Sequence, residues 1–297
     1  MEKMMQVLRN QSYEPTRKRC DLQVPCLPEE VTMQTVRVIG EGSCGIVSLV
    51  KVNDRSYFAK KTTFAMSMAE EFLRKELRIL NKFSHVPNIV RCYSPSLEFE
   101  SIGDDVRICK YAPKGTLSDI LEGRDWKLSE NDVRRCTLMI LRGLKALHGK
   151  GYVHCDLKST NILVFCSEAS GEIYEVKICD FGLAREPGES SFSHKRKYRG
   201  TAPYMSPESI GPSGKIGPDL DIWSLGCLVI EMIGLSEAPV EDADGGGFYR
   251  WEVPENISAE AKDFVSKCMK LHPFERWTTE RLMDHPFVAK VASQIPM

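Results

Sequence analysis

The chain has 297 residues, of which 42% are hydrophobic and 27% charged, and its 40 basic and 41 acidic residues leave a formal net charge of -1. This balance gives no general attraction to nucleic acid or acidic lipid, and no segment approaches the roughly 18 consecutive apolar residues of a membrane span. The N-terminal sequence also lacks the apolar run of a secretory signal. We therefore expect a cytoplasmic protein, with access to the nucleus, that has neither nucleic acid nor membrane as a partner.

The first predicted feature is an N-terminal extension at residues 1–32, which is charged, contains three prolines and shows no clear period. Residues 33–110 are rich in β-branched side chains, and two such runs, at 36–39 and 46–52, flank a glycine-rich loop. Leucines at helical spacing predict one helix within residues 70–83. This part of the chain therefore predicts a small β-rich lobe interrupted by a helix.

Helical periodicity dominates the rest of the chain. Ser129 is a predicted N-cap, Asp132 three residues later suggests a capping box, and Gly149 or Gly151 ends that helix. Residues 221–235 are apolar on nearly every side, which is typical of a buried helix.

The change of period divides the chain. We predict an α+β fold with a small β-rich N-lobe at about residues 33–110, a hinge at 110–113 and a larger helical C-lobe at 114–289. The two lobes form one domain, residues 33–289, and residues 290–297 form a C-terminal tail.

Gly40, Gly42 and Gly45 form a G-x-G-x-x-G pattern. Glycines allow backbone amides to approach phosphates closely, and more than one fold uses this property. In dinucleotide-binding folds such glycines open a helix, whereas here they lead into the β-branched run at residues 46–50. We interpret the loop as a lid over a nucleotide, and a hairpin turn without a ligand is the alternative.

A basic residue for the phosphates, Lys60 or Lys61, follows on the next predicted strand. The flexible stem of a lysine needs a carboxylate partner to hold it in place, and Glu76 lies beside the apolar stripe of the predicted helix. The same residues equally fit an exposed ion pair worth at most about 1 kcal/mol. The residues alone leave both interpretations and both lysines open.

Five motifs follow in a fixed order in the second half of the chain. They are H-x-D-L-K-x-x-N at residues 154–161, D-F-G at 180–182, G-T-x-x-Y-M-x-P-E at 200–208, D-x-W-S-x-G at 221–226, and an arginine at Arg276. Their order and spacing resemble those of the eukaryotic protein kinases over residues 33–289. The resemblance implies the two-lobed protein kinase fold and a serine/threonine protein kinase with ATP and Mg²⁺ as cofactors.

The resemblance also implies the catalytic roles. Asp156 is expected to orient the substrate hydroxyl and accept its proton, and Lys158 to contact the γ-phosphate. Thr201 is expected to hydrogen-bond to both residues, and Arg276 to pair with Glu208. A lysine two residues after the catalytic aspartate, together with Thr201, resembles serine/threonine rather than tyrosine kinases.

A nucleotide and metal site is implied in the same way. Lys61 lies two residues after Ala59, as in the kinase pattern V-A-I-K, and is expected to hold the α- and β-phosphates with Glu76 as its partner. Asn161 and Asp180 are expected to bind Mg²⁺ through their oxygen atoms. The residues expected to surround ATP are Ile39, Gly40, Glu41, Gly42, Ser43, Cys44, Gly45, Ile46, Val47, Ala59, Lys61, Cys109, Lys110, Ala112 and Leu163.

Cys155 departs from the family pattern, which places an arginine directly before the catalytic aspartate. That arginine commonly anchors a phosphate on the activation loop, and cysteine has no charge with which to do so. We therefore expect activity that does not depend on a phosphate anchored there. The basic run at residues 194–199 is a solvated face, a substitute phosphate anchor or a dock for acidic substrate.

A narrower resemblance, carried by residues 154–163 and 267–287, is to plant MAP kinase kinase kinases of the MEKK type. It implies a MAP kinase kinase as the protein substrate and partner. The alternatives are a serine/threonine kinase with a different protein substrate and a pseudokinase scaffold. The scaffold would need a broken catalytic residue, whereas all four are present: Lys61, Asp156, Asn161 and Asp180.

If no loop phosphate is needed, replacing Ser190, Ser191 and Ser193 together by alanine should leave the rate of phosphate transfer within about twofold of wild type. Initial rates with labelled ATP measure this directly. A collapse of the rate in the triple variant would contradict the expectation drawn from Cys155.

Overall fold

The structure is a computed structural model that describes residues 33–42, 45–52, 56–63, 67–93, 105–166, 173–190, 200–210, 215–234, 240–241 and 249–295. The predicted extension at residues 1–32 and the basic run at 194–199 lie outside these ranges.

Four antiparallel strands form the N-lobe sheet, in the order β1-β2-β3-β4. They are β1 (Met33–Gly42), β2 (Gly45–Val52), β3 (Ser56–Thr63) and β4 (Asp105–Lys110). Both predicted β-branched runs lie in β1 and β2, which meet at the glycine pattern with Gly42 opposite Gly45. Leu49, Val50 and Val52 of β2 are buried. Because successive side chains of a strand point to opposite faces, Val50 and Val52 share one face of the sheet and Leu49 lies on the other.

One helix, α1 (Ser67–Lys82), follows the third strand, as the leucine spacing predicts. Leu77, Ile79 and Leu80 are buried and belong to a core that continues into the C-lobe. Residues three and four apart share a helix face, so Glu76 lies on the same side as Ile79 and Leu80. Its exposed fraction is only 5%, and α1 therefore directs a carboxylate toward the interior.

The C-lobe is mainly helical, so the two-lobed α+β architecture predicted from the sequence is confirmed. Its elements are α2 (Leu117–Glu122), α3 (Glu130–His148), β5 (Ile162–Cys166), β6 (Ile173–Ile178), α4 (Pro218–Ile233), β7 (Val240–Glu241), β8 (Tyr249–Arg250), α5 (Ala259–Cys268), α6 (Thr279–Met283) and α7 (Pro286–Ala289). β5 pairs with β6 and β7 with β8, both antiparallel. No helix among the described residues is long and apolar enough to cross a membrane.

Two helices form the centre of this lobe. Ser129 caps α3 as predicted, since its Oγ accepts the backbone N–H of Asp132 at 3.1 Å, and the helix ends at Gly149. In a capping box the second side chain accepts the backbone N–H of the N-cap residue. Here the Asp132 carboxylate instead accepts a hydrogen bond from the Ser129 hydroxyl at 2.8 Å. In α4, every residue from Leu220 to Ile233 is buried, which confirms the helix predicted to be apolar on nearly every side.

The chain that follows α1 is hydrogen-bonded to β6 of the C-lobe. The backbone N–H of Val90 donates to Ile178 O at 2.9 Å, and that of Ile178 donates to Asn88 O at 2.9 Å. Asn88 Nδ2 also donates to Val176 O at 3.0 Å. Because β6 leads directly into the D-F-G motif, these bonds fix the end of α1 relative to that motif.

Close contact between α4 and α5 makes Gly226 a test of this packing. A Cβ atom at position 226 would lie 2.6 Å from Met269 Cγ and 2.9 Å from Cys268 Cβ. Gly226→Ala should therefore lower the free energy of unfolding by about 1–3 kcal/mol, although alanine favours helices. In the control Gly123→Ala, where the nearest atom is Asp119 O at 3.4 Å, the change should stay under about 1 kcal/mol. Equal unfolding free energies for both variants in urea would contradict the close approach of α4 and α5.

Candidate active site

A buried aspartate holds the loop between α3 and β5 that carries the first motif. Asp221 is 1% exposed and lies in the first turn of α4. Its Oδ2 accepts the backbone N–H of His154 at 2.8 Å and lies 2.8 Å from His148 Nε2, while its Oδ1 accepts the N–H of Cys155 at 2.9 Å. Burial alone would raise the pKa of Asp221, but the hydrogen bonds from the His148 side chain and the His154 backbone hold that pKa below its usual value. The carboxylate is therefore ionised and accepts hydrogen bonds through both oxygens.

The loop held by Asp221 has an unusual backbone. Cys155 has φ 66°, in a left-handed region that residues other than glycine rarely adopt. Asp180 of the D-F-G motif, which follows β6, has a similar φ of 62°. Gly200, with φ 121°, approaches so closely that a Cβ there would lie 2.7 Å from the carbonyl oxygen of Cys155. The glycine that opens the third motif is therefore required by the contact between the two loops.

Four predicted catalytic side chains meet at the end of this loop. The hydroxyl of Thr201 donates to Asp156 Oδ1 at 2.7 Å and accepts from Lys158 Nζ at 2.7 Å. Lys158 Nζ lies 3.0 Å from Asp156 Oδ2, and Asn161 Nδ2 donates to the same oxygen at 3.1 Å. Both hydrogen bonds expected of Thr201 are present, and the result is a carboxylate and an ammonium held side by side.

Asn161 and Asp180 lie on adjoining segments of backbone. The N–H of Cys179 donates to Asn161 O at 3.0 Å, and the buried ring of Phe181 contacts the His154 ring with centroids 5.0 Å apart. Since Asn161 Nδ2 is used on Asp156, Oδ1 is the atom of that amide suited to a cation. One amide oxygen and one carboxylate fit Mg²⁺, which takes few protein ligands and completes its shell with water and phosphate.

Strand register brings several predicted nucleotide residues together. Val47 pairs with Lys61 across β2 and β3, and Ala59 pairs with Cys109 across β3 and β4. Leu163 of β5 forms an isolated bridge to the residue before α2 and packs on the core. The other described residues predicted to contact ATP lie in β1, in β2 and around the end of β4: Ile39, Gly40, Glu41, Gly42, Gly45, Ile46, Lys110 and Ala112.

Part of the predicted nucleotide site lies outside the described residues, namely Ser43, Cys44 and the side chain of Lys61. Glu76, the expected partner of Lys61, is buried. The Lys61–Glu76 ion pair stays a prediction.

Glu231 is a residue near the site that the sequence analysis missed. It is 3% exposed, and its carboxylate accepts hydrogen bonds from Ser159 Oγ and Tyr204 OH, each at 2.8 Å. Burial raises the pKa of Glu231 although both hydrogen bonds favour its charged form, and burial together with Glu231 raises the pKa of Tyr204. The network joins the catalytic loop (residues 154–161) and the closing motif (residues 200–208) to α4. Its one sequence signal is an acidic residue within the apolar stretch at residues 227–233.

Arg276 pairs with Glu208, as predicted. The contact is bidentate, with Nη1 2.6 Å from Oε1 and Nη2 2.7 Å from Oε2. Arg276 Nε also donates to Lys270 O at 2.8 Å, and the side chain of Arg276 is 1% exposed. The pair therefore anchors the end of the closing motif inside the C-lobe.

Comparison with known proteins agrees with this geometry. The protein kinase domain family matches residues 33–288. Mitogen-activated protein kinase kinase kinase 20 of Arabidopsis thaliana is 36% identical over 278 residues, which cover 86% of this chain and 78% of that protein. Mitogen-activated protein kinase kinase kinase 18 of the same species is 34% identical over 275 residues, covering 85% and 76%. The chain therefore belongs to the protein kinase family, as a serine/threonine kinase.

The bridging position of Thr201 leads to a test. Thr201→Ala removes a hydrogen bond to each of two charged groups, and should lower kcat by about tenfold or more. Thr201→Ser keeps the hydroxyl and should stay within about threefold of wild type. Steady-state rates of phosphate transfer distinguish the two, and equal rates for alanine and serine would show that the bridge has no catalytic consequence.

Proposed function

We propose that this kinase is a MAP kinase kinase kinase, which uses MgATP to phosphorylate a MAP kinase kinase on serine or threonine. The observation that carries the proposed chemistry is the contact of Asp156 with Lys158, Thr201 and Asn161. The proposed substrate is supported by the names of the relatives that match most of this chain, each a mitogen-activated protein kinase kinase kinase.

Asp156 is the proposed base. Its carboxylate orients the substrate hydroxyl and takes up its proton while the hydroxyl oxygen bonds to the γ-phosphorus and the bond from that phosphorus to ADP breaks. Thr201 donates to one carboxylate oxygen and accepts from Lys158, which fixes the distance between the base and the ammonium. Lys158 offsets the negative charge of the γ-phosphate as it moves.

The nucleotide would lie between the N-lobe sheet and β5. Lys110 N–H donates to Arg91 O at 3.2 Å, so the adenine edge would use the carbonyl oxygen of Lys110 together with the backbone of Ala112. Lys61, paired with Glu76, would hold the α- and β-phosphates. Asn161 and Asp180 would hold Mg²⁺, which supplies positive charge to the phosphates when bound.

The protein substrate would bind beside the closing motif. Tyr204 is fixed by Glu231, and Trp251 Nε1 donates to Pro203 O while its ring lies 5.5 Å from that of Tyr204. The buried side chains of Glu231 and Trp251 thus hold the segment at Pro203 and Tyr204, which would keep the acceptor residue in line with Asp156. Such positioning supplies much of the rate enhancement in phosphoryl transfer.

Asp156→Asn is the decisive variant. The amide can keep the hydrogen bond with Thr201 but cannot accept a proton, so transfer should fall by about 100-fold or more while ATP still binds. The measurement is magnesium-dependent transfer of labelled phosphate to two acceptors, a catalytically inactive MAP kinase kinase and a generic basic protein. Titration of the variant with ATP checks that its nucleotide site is intact.

Each outcome separates the proposals. Transfer to serine or threonine of the MAP kinase kinase, lost in Asp156→Asn, supports the proposed function. Transfer to the basic protein alone retains the kinase and rejects the proposed substrate. Binding of ATP without transfer to either acceptor contradicts the proposed catalysis and points to a scaffold.

A further inference from the structure

Ion pairs join α1 to the segment that follows the D-F-G motif. Lys75 Nζ lies 2.5 Å from Glu189 Oε1, and Arg78 Nη2 lies 2.8 Å from Glu186 Oε2. The two basic residues flank Glu76 along the helix. Both contacts therefore act within one helical turn of the carboxylate expected to hold Lys61.

The Lys75 pair is the more enclosed of the two. The side chain of Lys75 is 9% exposed and that of Glu189 is 32% exposed, against 59% for Arg78 and 19% for Glu186. An ammonium withdrawn this far from water needs an opposite charge nearby, and partly buried charges are screened less by salt than exposed ones. The position of α1 is thus coupled to the carboxylate of Glu189.

The acidic segment is itself attached to the start of the catalytic loop. The N–H of Arg185 donates to Val153 O at 2.8 Å, and the N–H of Val153 donates to Arg185 O at 3.1 Å. Glu186 is the next residue in the chain. A continuous connection therefore runs from the catalytic loop through residues 185–189 to α1 and Glu76.

Position 155 supplies no charge to this connection. Cys155 is buried, and its Sγ lies 3.6 Å from Val153 O. A thiol has no positive charge and cannot hold a phosphate on the loop by the bidentate contact that an arginine makes. The carboxylates of Glu186 and Glu189 already provide negative charge on the same segment, without any modification.

We propose that Glu186 and Glu189 are positioning residues, which hold α1 and Glu76 in the catalytic arrangement in place of a phosphate on the activation loop. A phosphate supplies its charge only after modification, whereas a carboxylate supplies it permanently. This inference rests on the proposed kinase activity. It makes the activity of the unphosphorylated protein depend on two acidic side chains that act through Lys75 and Arg78 of α1.

The test uses the full chain after phosphatase treatment, so that no phosphate replaces the carboxylates. In Glu186→Gln/Glu189→Gln, kcat/KM for ATP should fall by about fivefold or more. Raising the salt concentration should lower kcat/KM more in wild type than in the variant, because only wild type has these ion pairs to be screened. The melting temperature is measured on the same samples. A lower melting temperature with unchanged kinetics would show a purely structural role and overturn the proposal.

A matched control and a rescue sharpen the result. Glu260 of α5 lies 2.5 Å from Lys290, which follows α7, in an exposed ion pair comparable to that of Arg78 and Glu186. Glu260→Gln should therefore leave the kinetics within about twofold of wild type. Exchanging the charges in Lys75→Glu/Glu189→Lys should recover more activity than either single variant, because the pair is restored with opposite sense. Absence of any rescue in a folded double variant would count against the proposal.

Phosphate transfer by the wild-type protein distinguishes a failure of the proposed function from a failure of the positioning role. If wild type transfers phosphate and the glutamine variant does so equally well, the positioning role is overturned while the kinase activity stands. If wild type transfers none, the proposed function fails, and the dissociation constant for MgATP decides the remaining question. Weaker MgATP binding by the glutamine variant would support the positioning role, and equal binding would overturn it.

Discussion

The carboxylate of Asp221 accepts the backbone N–H groups of His154 and Cys155 and contacts the ring of His148, and the catalytic loop depends on it. Cys155 has a left-handed backbone, a conformation that persists only where its surroundings hold it in place. Since Asp221 is itself buried in α4, the loop is attached to the most enclosed helix of the C-lobe. Removing one partner of such a buried charged network typically costs about 3–5 kcal/mol.

The closing motif is built onto the loop that Asp221 holds. Gly200 lets the two backbones approach, after which Thr201 reaches Asp156 and Lys158. The far end of the motif is held by Glu208 and the buried Arg276. A bidentate pair fixes orientation as well as distance, so the segment that would receive the substrate is anchored on both sides of the acceptor position.

The N-lobe side of the site is coupled through α1. Its apolar residues share a core with Phe181 of the D-F-G motif, and its basic residues pair with the acidic segment that follows that motif. Burial of apolar area is not directional, whereas ion pairs specify which turn of the helix meets which residue. Cys155 brings no positive charge to the catalytic loop, and the carboxylates of Glu186 and Glu189 position α1 through its basic residues.

The sequence by itself determined the two-lobed architecture, the N-cap of α3 and the buried character of α4, and its resemblance to the protein kinases implied the Arg276–Glu208 pair. These features follow from local periodicity, from capping chemistry and from motifs whose order along the chain is specific. The tertiary structure alone decided the hydrogen bonds to Asp221, the approach of Gly200 to Cys155, the burial of Glu231 and the ion pairs of α1. Each of these features depends on contacts between segments far apart in the chain. A local sequence pattern does not specify which distant residue a buried charge will pair with, or which distant backbone segment a glycine will contact.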